Sequence, residues 1–208
     1  MKLDLITDIN TIKVLIQFRE PSNFMPPKAS ITPSEYAPIL KRGDQLEQTS
    51  FLEPELVYAR WGLVPNEYSS LADADRFGLY QTRVESTMRS RTLSKIYPAQ
   101  RCLIPMMALE MEQTAKLESL TPRLLAGIWT QFVRPLKRVQ SFSILTTKNK
   151  LGRVAVMLEG EQAQRWLNPI TSKRELRALV EGWWAISSFS VNLNLNTITD
   201  RAEPRQLE

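Results

Sequence analysis

The chain predicts an α+β fold with an antiparallel or mixed sheet, and three observations carry that expectation. Its second half is dominated by β-prone apolar runs, at Cys102 to Ile104, Leu124 to Val133, Ser141 to Thr147 and Val154 to Leu158. Two helical patterns interrupt the runs. There is no strand–helix–strand alternation and no glycine-rich phosphate loop, so a doubly wound parallel sheet is not expected.

At 208 residues the chain is long enough for one sizeable core, and a single domain over 1–208 is expected. A content of 43% hydrophobic and 24% charged residues is ordinary for a globular protein, which excludes a low-complexity or disordered chain. No apolar run approaches the roughly 20 residues needed to span a bilayer. Met1 to Leu5 carries Lys2 and Asp4 where a signal peptide would want an apolar core, so a cytoplasmic protein without a membrane partner is expected. One cysteine and no histidine exclude a disulfide framework, a Cys/His zinc site and every imidazole triad. Neither a metal nor a cofactor is expected, and acid–base chemistry falls to carboxylates, lysine, tyrosine or a terminal amine. The balance of 27 basic to 22 acidic residues, a formal +5, suits a nucleic-acid partner and a solvated surface equally.

In chain order, Thr7 or Asp8 caps a short helix running to about Phe18, although Ile12, Val14, Ile16 and Phe18 also alternate like a strand. Pro21 to Lys28 reads as an irregular loop, and the polar stretch Lys41 to Gln48 as another. Leu56 to Trp61 is a strand, closed at Pro65, which cannot donate to a ladder. A polar connection through Ser69 to Asp75 follows. Gln81 to Ser86 then leads into a basic run with Arg89, Arg91, Lys95 and Arg101, whose spacing gives no clean apolar face and predicts a surface helix or loop. Ala163, Trp166 and Leu167 stand at i, i+3 and i+4 before a stop at Asn168-Pro169. Ser172 and Glu175 form a capping box ahead of Leu176, Leu179 and Val180, with Gly182 as the stop. Val191 to Asn196 alternates apolar residues with asparagines, one more strand.

Several residues carry the functional question. Trp61, at the end of a strand beside Gly62, is placed to stack on a base, while residue statistics favour a core tryptophan. Cys102, in an apolar β run, reads as a buried inert thiol rather than a nucleophile. Glu110 and Glu112 share a face if they lie on a strand; a paired-carboxylate site competes there with an exposed acidic edge.

The order of short motifs is informative. Trp61-Gly-Leu-Val-Pro65, Gln81-Thr-Arg-Val-Glu-Ser86, Arg101-Cys-Leu-Ile-Pro105, Ala126-Gly-Ile-Trp129, Phe142-Ser-Ile-Leu-Thr-Thr147, Arg153-Val-Ala-Val-Met-Leu158 and Trp166-Leu167 resemble, in sequence, the signature of the SRAP family of SOS-response-associated, abasic-site processing proteins. Asn23-Phe-Met-Pro26 looks like the family's Asn-x-Ala-Pro segment, so the resemblance spans nearly the whole chain. It implies a twisted, mostly antiparallel, barrel-like sheet with peripheral helices, the Ser172 to Val180 helix among them.

In that family the cysteine after the initiator methionine attacks the aldehyde of an abasic site in single-stranded DNA, and its thiol and amine close a thiazolidine crosslink. The matching position here is Lys2. The family's asparagine matches Gln81, its catalytic glutamate matches Met111 between Glu110 and Glu112, and its histidine matches Leu151. Every one of these chemical positions departs from the pattern, leaving Glu110 and Glu112 as the candidate substitutes and a pseudoenzyme as the expectation. Trp61, Arg83 and Arg153 match positions that face DNA; Thr146 or Thr147 could donate a hydroxyl to a phosphate, and Lys148 and Lys150 extend a basic rim. A salt bridge to Glu85 or another acid competes for Arg83, and a solvated β-edge position for Arg153. Three readings stand side by side: a degenerate SRAP-like protein that binds single-stranded or abasic DNA, a protein-interaction module, and an enzyme using the Met1 amine or Lys2.

Overall fold

The computed structural model describes residues 1–42, 53–87, 89–110, 117–149 and 152–182. The elements run β1 (Lys2–Leu5), α1 (Ile9–Leu15), β2 (Ser30–Ile31), β3 (Tyr36–Arg42), β4 (Pro54–Trp61), α2 (Leu71–Phe77), β5 (Gln81–Arg83), α3 (Val84–Thr87) and α4 (Leu93–Ile96). The second half holds β6 (Arg101–Glu110), β7 (Leu117–Arg134), β8 (Lys137–Asn149), β9 (Gly152–Ala155), β10 (Met157–Leu158), α5 (Gly160–Leu167) and α6 (Lys173–Gly182).

The strands make one 10-stranded sheet in the order β10-β7-β8-β4-β3-β6-β1-β2, with β5 and β9 added on β8. Because β6 pairs with β7 as well as β3, the ring β6-β7-β8-β4-β3 closes on itself as a barrel. Closure leaves the ring strands without a free edge. Pairing is antiparallel except where β4 and β5 run parallel to β8, so the expectation of a twisted, mostly antiparallel barrel-like α+β fold holds.

Two apolar layers explain the long uninterrupted runs. Inside the ring, Ala59 and Trp61 of β4, Cys102 and Ile104 of β6, Leu125 of β7 and Phe142 and Ile144 of β8 pack together. On the outer face, Leu103, Leu124, Ala126 and Leu145 pack under Ile12 of α1, Ile96 of α4, Trp166 of α5 and Leu176 and Val180 of α6. A strand covered on both faces has no polar side, hence the buried stretch Cys102 to Met106. Trp166 fastens α5 to the barrel by donating from Nε1 to the Cys102 carbonyl at 2.9 Å. Gly127 sits where the wall is tightest: an added Cβ would lie 2.6 Å from Ile104 Cδ1 and 3.0 Å from the Ser143 carbonyl oxygen.

Local signals account for the helix ends. Asp8 caps α1, accepting from the backbone N–H groups of Asn10 and Thr11, and α1 stops at Leu15 rather than Phe18 because Ile16 is extended. The capping box is formed as expected, with Ser172 Oγ accepting from the Glu175 N–H at 3.3 Å and Glu175 Oε2 from the Ser172 N–H at 2.9 Å.

Three expectations are corrected. The polar connection Ser69 to Asp75 contains the start of α2, capped by Ser70 and closed by Gly78 in the left-handed region at φ 57°. Lys41 and Arg42 belong to β3, not a loop: Lys41 is 1% exposed, its Nζ 2.6 Å from Glu55 Oε1 and 4.3 Å from the centre of the Trp129 ring. Arg101 is not on the surface but opens β6 with 4% exposure, while the rest of the basic run lies around α4. The loop through Gln48 and the strand Val191 to Asn196 fall outside the described residues. No helix among the described residues is long and apolar enough to cross a membrane.

Candidate nucleic-acid interface

The pairings set the direction of every strand. β1 begins where β6 ends, with Lys2 opposite Glu110, and β5 and β8 run toward that same end of the barrel. Lys2, Arg83, Glu110, Lys148 and Arg153 therefore lie toward the same end of their strands. Arg83 is opposite Thr146, and Lys148 is opposite Arg153. Paired residues share a face, and so do residues two apart on a strand, so Arg83, Lys148 and Arg153 stand on the same side of β5, β8 and β9.

Their environments differ. Arg83 is exposed and its side chain makes no hydrogen bond or ion pair among the described residues. Lys148 is exposed. Arg153 is held: Nη1 donates to Glu85 Oε2 at 3.2 Å and to Thr146 Oγ1 at 3.3 Å. Glu85 is also the acceptor for the Lys148 N–H at 2.9 Å and the Thr147 hydroxyl at 3.4 Å, so one carboxylate ties α3 to the ends of β8 and β9. Burial works to raise the Glu85 pKa, but hydrogen bonds from its own N–H, the Lys148 N–H and the Arg153 guanidinium outweigh it and hold the carboxyl below its usual range. The tether is therefore complete above the ordinary carboxylate range and is lost as pH falls through the lowered Glu85 value.

Two parts of the expected binding set do not survive. Trp61 is 0% exposed in the barrel interior, with Nε1 donating to the Tyr80 carbonyl at 2.9 Å, so no face of its ring is open to a base. Thr146 and Thr147 are 0% and 5% exposed, with their hydroxyls engaged with Arg153 and Glu85 rather than presented at the surface. Met111, Glu112, Lys150 and Leu151 fall outside the described residues. Cys102 is fully buried and burial pushes its thiol pKa well up, so it is inert. No group of three or more metal-ligating side chains occurs among the described residues.

A profile of the SOS response associated peptidase (SRAP) family matches residues 3–198. The chain belongs to the SRAP family. Solved structures agree on the fold. A protein from Bordetella bronchiseptica is 18% identical at TM-score 0.68, over 86% of this chain and 92% of its own. A protein from Bacteroides thetaiotaomicron is 19% identical at TM-score 0.64, over 85% of each chain. A phage-related protein from Bordetella bronchiseptica is 19% identical at TM-score 0.55, over 77% and 78%. At such identities the likeness concerns the fold alone. No curated protein matches.

Within this SRAP chain, the positions that match the family's chemical residues are open to description in two places. Lys2 is half exposed, its Nζ 3.6 Å from Asp4 Oδ1 on the same strand face. Gln81 lies on β5 opposite Ile144, two residues before Arg83 and on its face. The Glu85–Arg153 tether, which joins residues 68 apart, was not legible in the SRAP motifs; only the proximity of Glu85 to Arg83 hinted that this carboxylate takes an arginine.

Proposed function

We propose that this protein is a DNA-damage-associated SRAP member that binds single-stranded or abasic DNA and has lost the crosslinking chemistry. The observation that carries this reading is Arg83, exposed, without a carboxylate partner among the described residues and on the same face as Lys148 and Arg153, toward the end of the barrel at which β1 begins. Three cations on adjacent strands suit a run of phosphates, and guanidinium groups bind phosphate bidentately. With Trp61 in the core, recognition rests on the backbone and is electrostatic, hence strongly dependent on salt.

The loss of crosslinking follows from donor chemistry. A thiazolidine needs a thiol and an amine on adjacent carbons; Lys2 supplies no thiol, and the chain's one thiol, Cys102, is sealed inside β6. Incubation with abasic single-stranded DNA is expected to give no adduct that survives heat unless borohydride is added. A heat-stable crosslink formed without reductant would contradict this. An adduct trapped by borohydride at Met1 or Lys2, with strand cleavage beyond that of free lysine, would make the protein a residual amine-dependent lyase.

Glu85 competes with DNA for Arg153. Exchanging it for glutamine keeps an acceptor for the Lys148 N–H and removes the charge, and since an exposed pair is worth about 0.2 to 1 kcal/mol, Glu85→Gln should tighten DNA binding up to about fivefold. The gap between variant and wild type should close as pH falls below the carboxylate range, where Glu85 itself is protonated. A titration by fluorescence anisotropy at several pH values checks both.

A further inference from the structure

At the start of β6, beside the ends of α4 and α5, lies a cleft of about 320 Å³ between Arg42, Pro98, Ala99, Arg101, Leu167 and Pro169. Its volume is at the small end of ligand pockets, and its walls are apolar apart from two guanidinium groups. Arg101 opens β6 at 4% exposure, and Arg42 ends β3 one step beyond the Lys41–Cys102 pairing, which brings the two arginines side by side. Arg101 donates to the carbonyls of Trp166, Pro98 and Asn168. A guanidinium has five N–H donors, so these three bonds fix its plane and leave two donors over.

No carboxylate among the described residues pairs with Arg101 or Arg42, and none lines the cleft. That is unusual for a charge so far from water, since buried charges are ordinarily paired. Burial lowers the Arg101 pKa to about 10, with Tyr97 opposing and Arg42 adding to the fall, so the group remains a cation at neutral pH. A rigid buried cation and a second cation at the rim, with no carboxylate of the described residues in the lining, make a cleft suited to an anion.

We propose that this cleft binds a phosphate group, with Arg101 as its fixed floor and Arg42 lining it from the end of β3. Phosphate suits the donors because a guanidinium pairs with two of its oxygens at once, and the apolar walls formed by Pro98, Leu167 and Pro169 would take the body that carries it. The phosphate can come from a free nucleotide or from the 5′ end of a nucleic acid. The site is independent of the face that carries Arg83.

The test is calorimetric titration of the full chain with inorganic phosphate, thymidine monophosphate, and oligothymidylate with and without a 5′-phosphate. Saturable binding of the monophosphate is expected, weakened about tenfold or more in Arg42→Ala by loss of charge-assisted hydrogen bonds, and unchanged in Arg83→Ala. Arg42→Glu should abolish binding and raise the melting temperature, because it gives Arg101 a carboxylate. A preference for the 5′-phosphorylated oligonucleotide would assign the site to nucleic-acid ends, and binding of the monophosphate alone to free nucleotides. Absence of saturable binding to every phosphate probe, or binding indifferent to both Arg42 variants, would overturn the proposal.

Discussion

Trp61→Ala is expected to destabilise the protein by about 3 to 5 kcal/mol, the range for removing a buried aromatic from a packed core. The ring is fully enclosed between β4 and the rest of the barrel interior, so its loss leaves a cavity that the closed ring of strands cannot collapse to fill. Tyr80's carbonyl also accepts from the Ile144 N–H at 3.1 Å and is not orphaned, so the cost is mainly one of packing. Trp61→Phe keeps most of the volume and loses one hydrogen bond, and should cost far less. Urea unfolding monitored by circular dichroism measures both. The folded Trp61→Phe protein should bind single-stranded DNA within about twofold of wild type, whereas a stacking platform is worth about 1 to 3 kcal/mol per base.

Reversing charge on the face that carries Arg83 should have the largest effect on binding. Hydrogen bonds to charged groups contribute about 1.5 to 3 kcal/mol each, so Arg83→Glu combined with Lys148→Glu should weaken affinity for single-stranded DNA about a hundredfold or more at low salt. Stability should change little. Both side chains are exposed, Arg83 makes no ion pair among the described residues, and the bond from residue 148 to Glu85 uses the backbone N–H. A melting curve recorded alongside the binding isotherm separates lost contacts from lost structure.

Where local chemistry decides structure, the chain could be read directly. The Ser172–Glu175 capping box, the helix carrying Trp166 and the strands on either side of Gly127 all formed as their spacing and β-propensity suggested. Elements whose polarity is resolved over a distance were not legible. Lys41 looks like a loop residue, but its ammonium stands over the Trp129 ring of β7 and pairs with Glu55 of β4. In α2, Leu-Ala-Asp-Ala-Asp-Arg-Phe buries only Ala74, too narrow a stripe to stand out among polar neighbours. β1 alternates Lys2 and Asp4 with Leu3 and Leu5, a pattern too short to register alone and stabilised by its pairing with β6. Motif order singled out Arg83 and Arg153, and the strand ladder puts them on one face of the sheet. The burial of Trp61 did not follow from motif order, because whether a ring ending a strand points inward or outward depends on how the barrel closes.

The most direct test of DNA binding at the Arg83 face is a salt titration of wild type and Arg83→Ala against labelled oligothymidylate, with and without one abasic site. The logarithm of the binding constant should fall linearly with the logarithm of salt concentration. The Arg83→Ala line should be shallower by about 0.7 for the phosphate contact it loses. Wild type and variant lines of the same slope and height, or no binding at low salt, would contradict DNA recognition by Arg83, Lys148 and Arg153 and would favour a protein-interaction role for the fold.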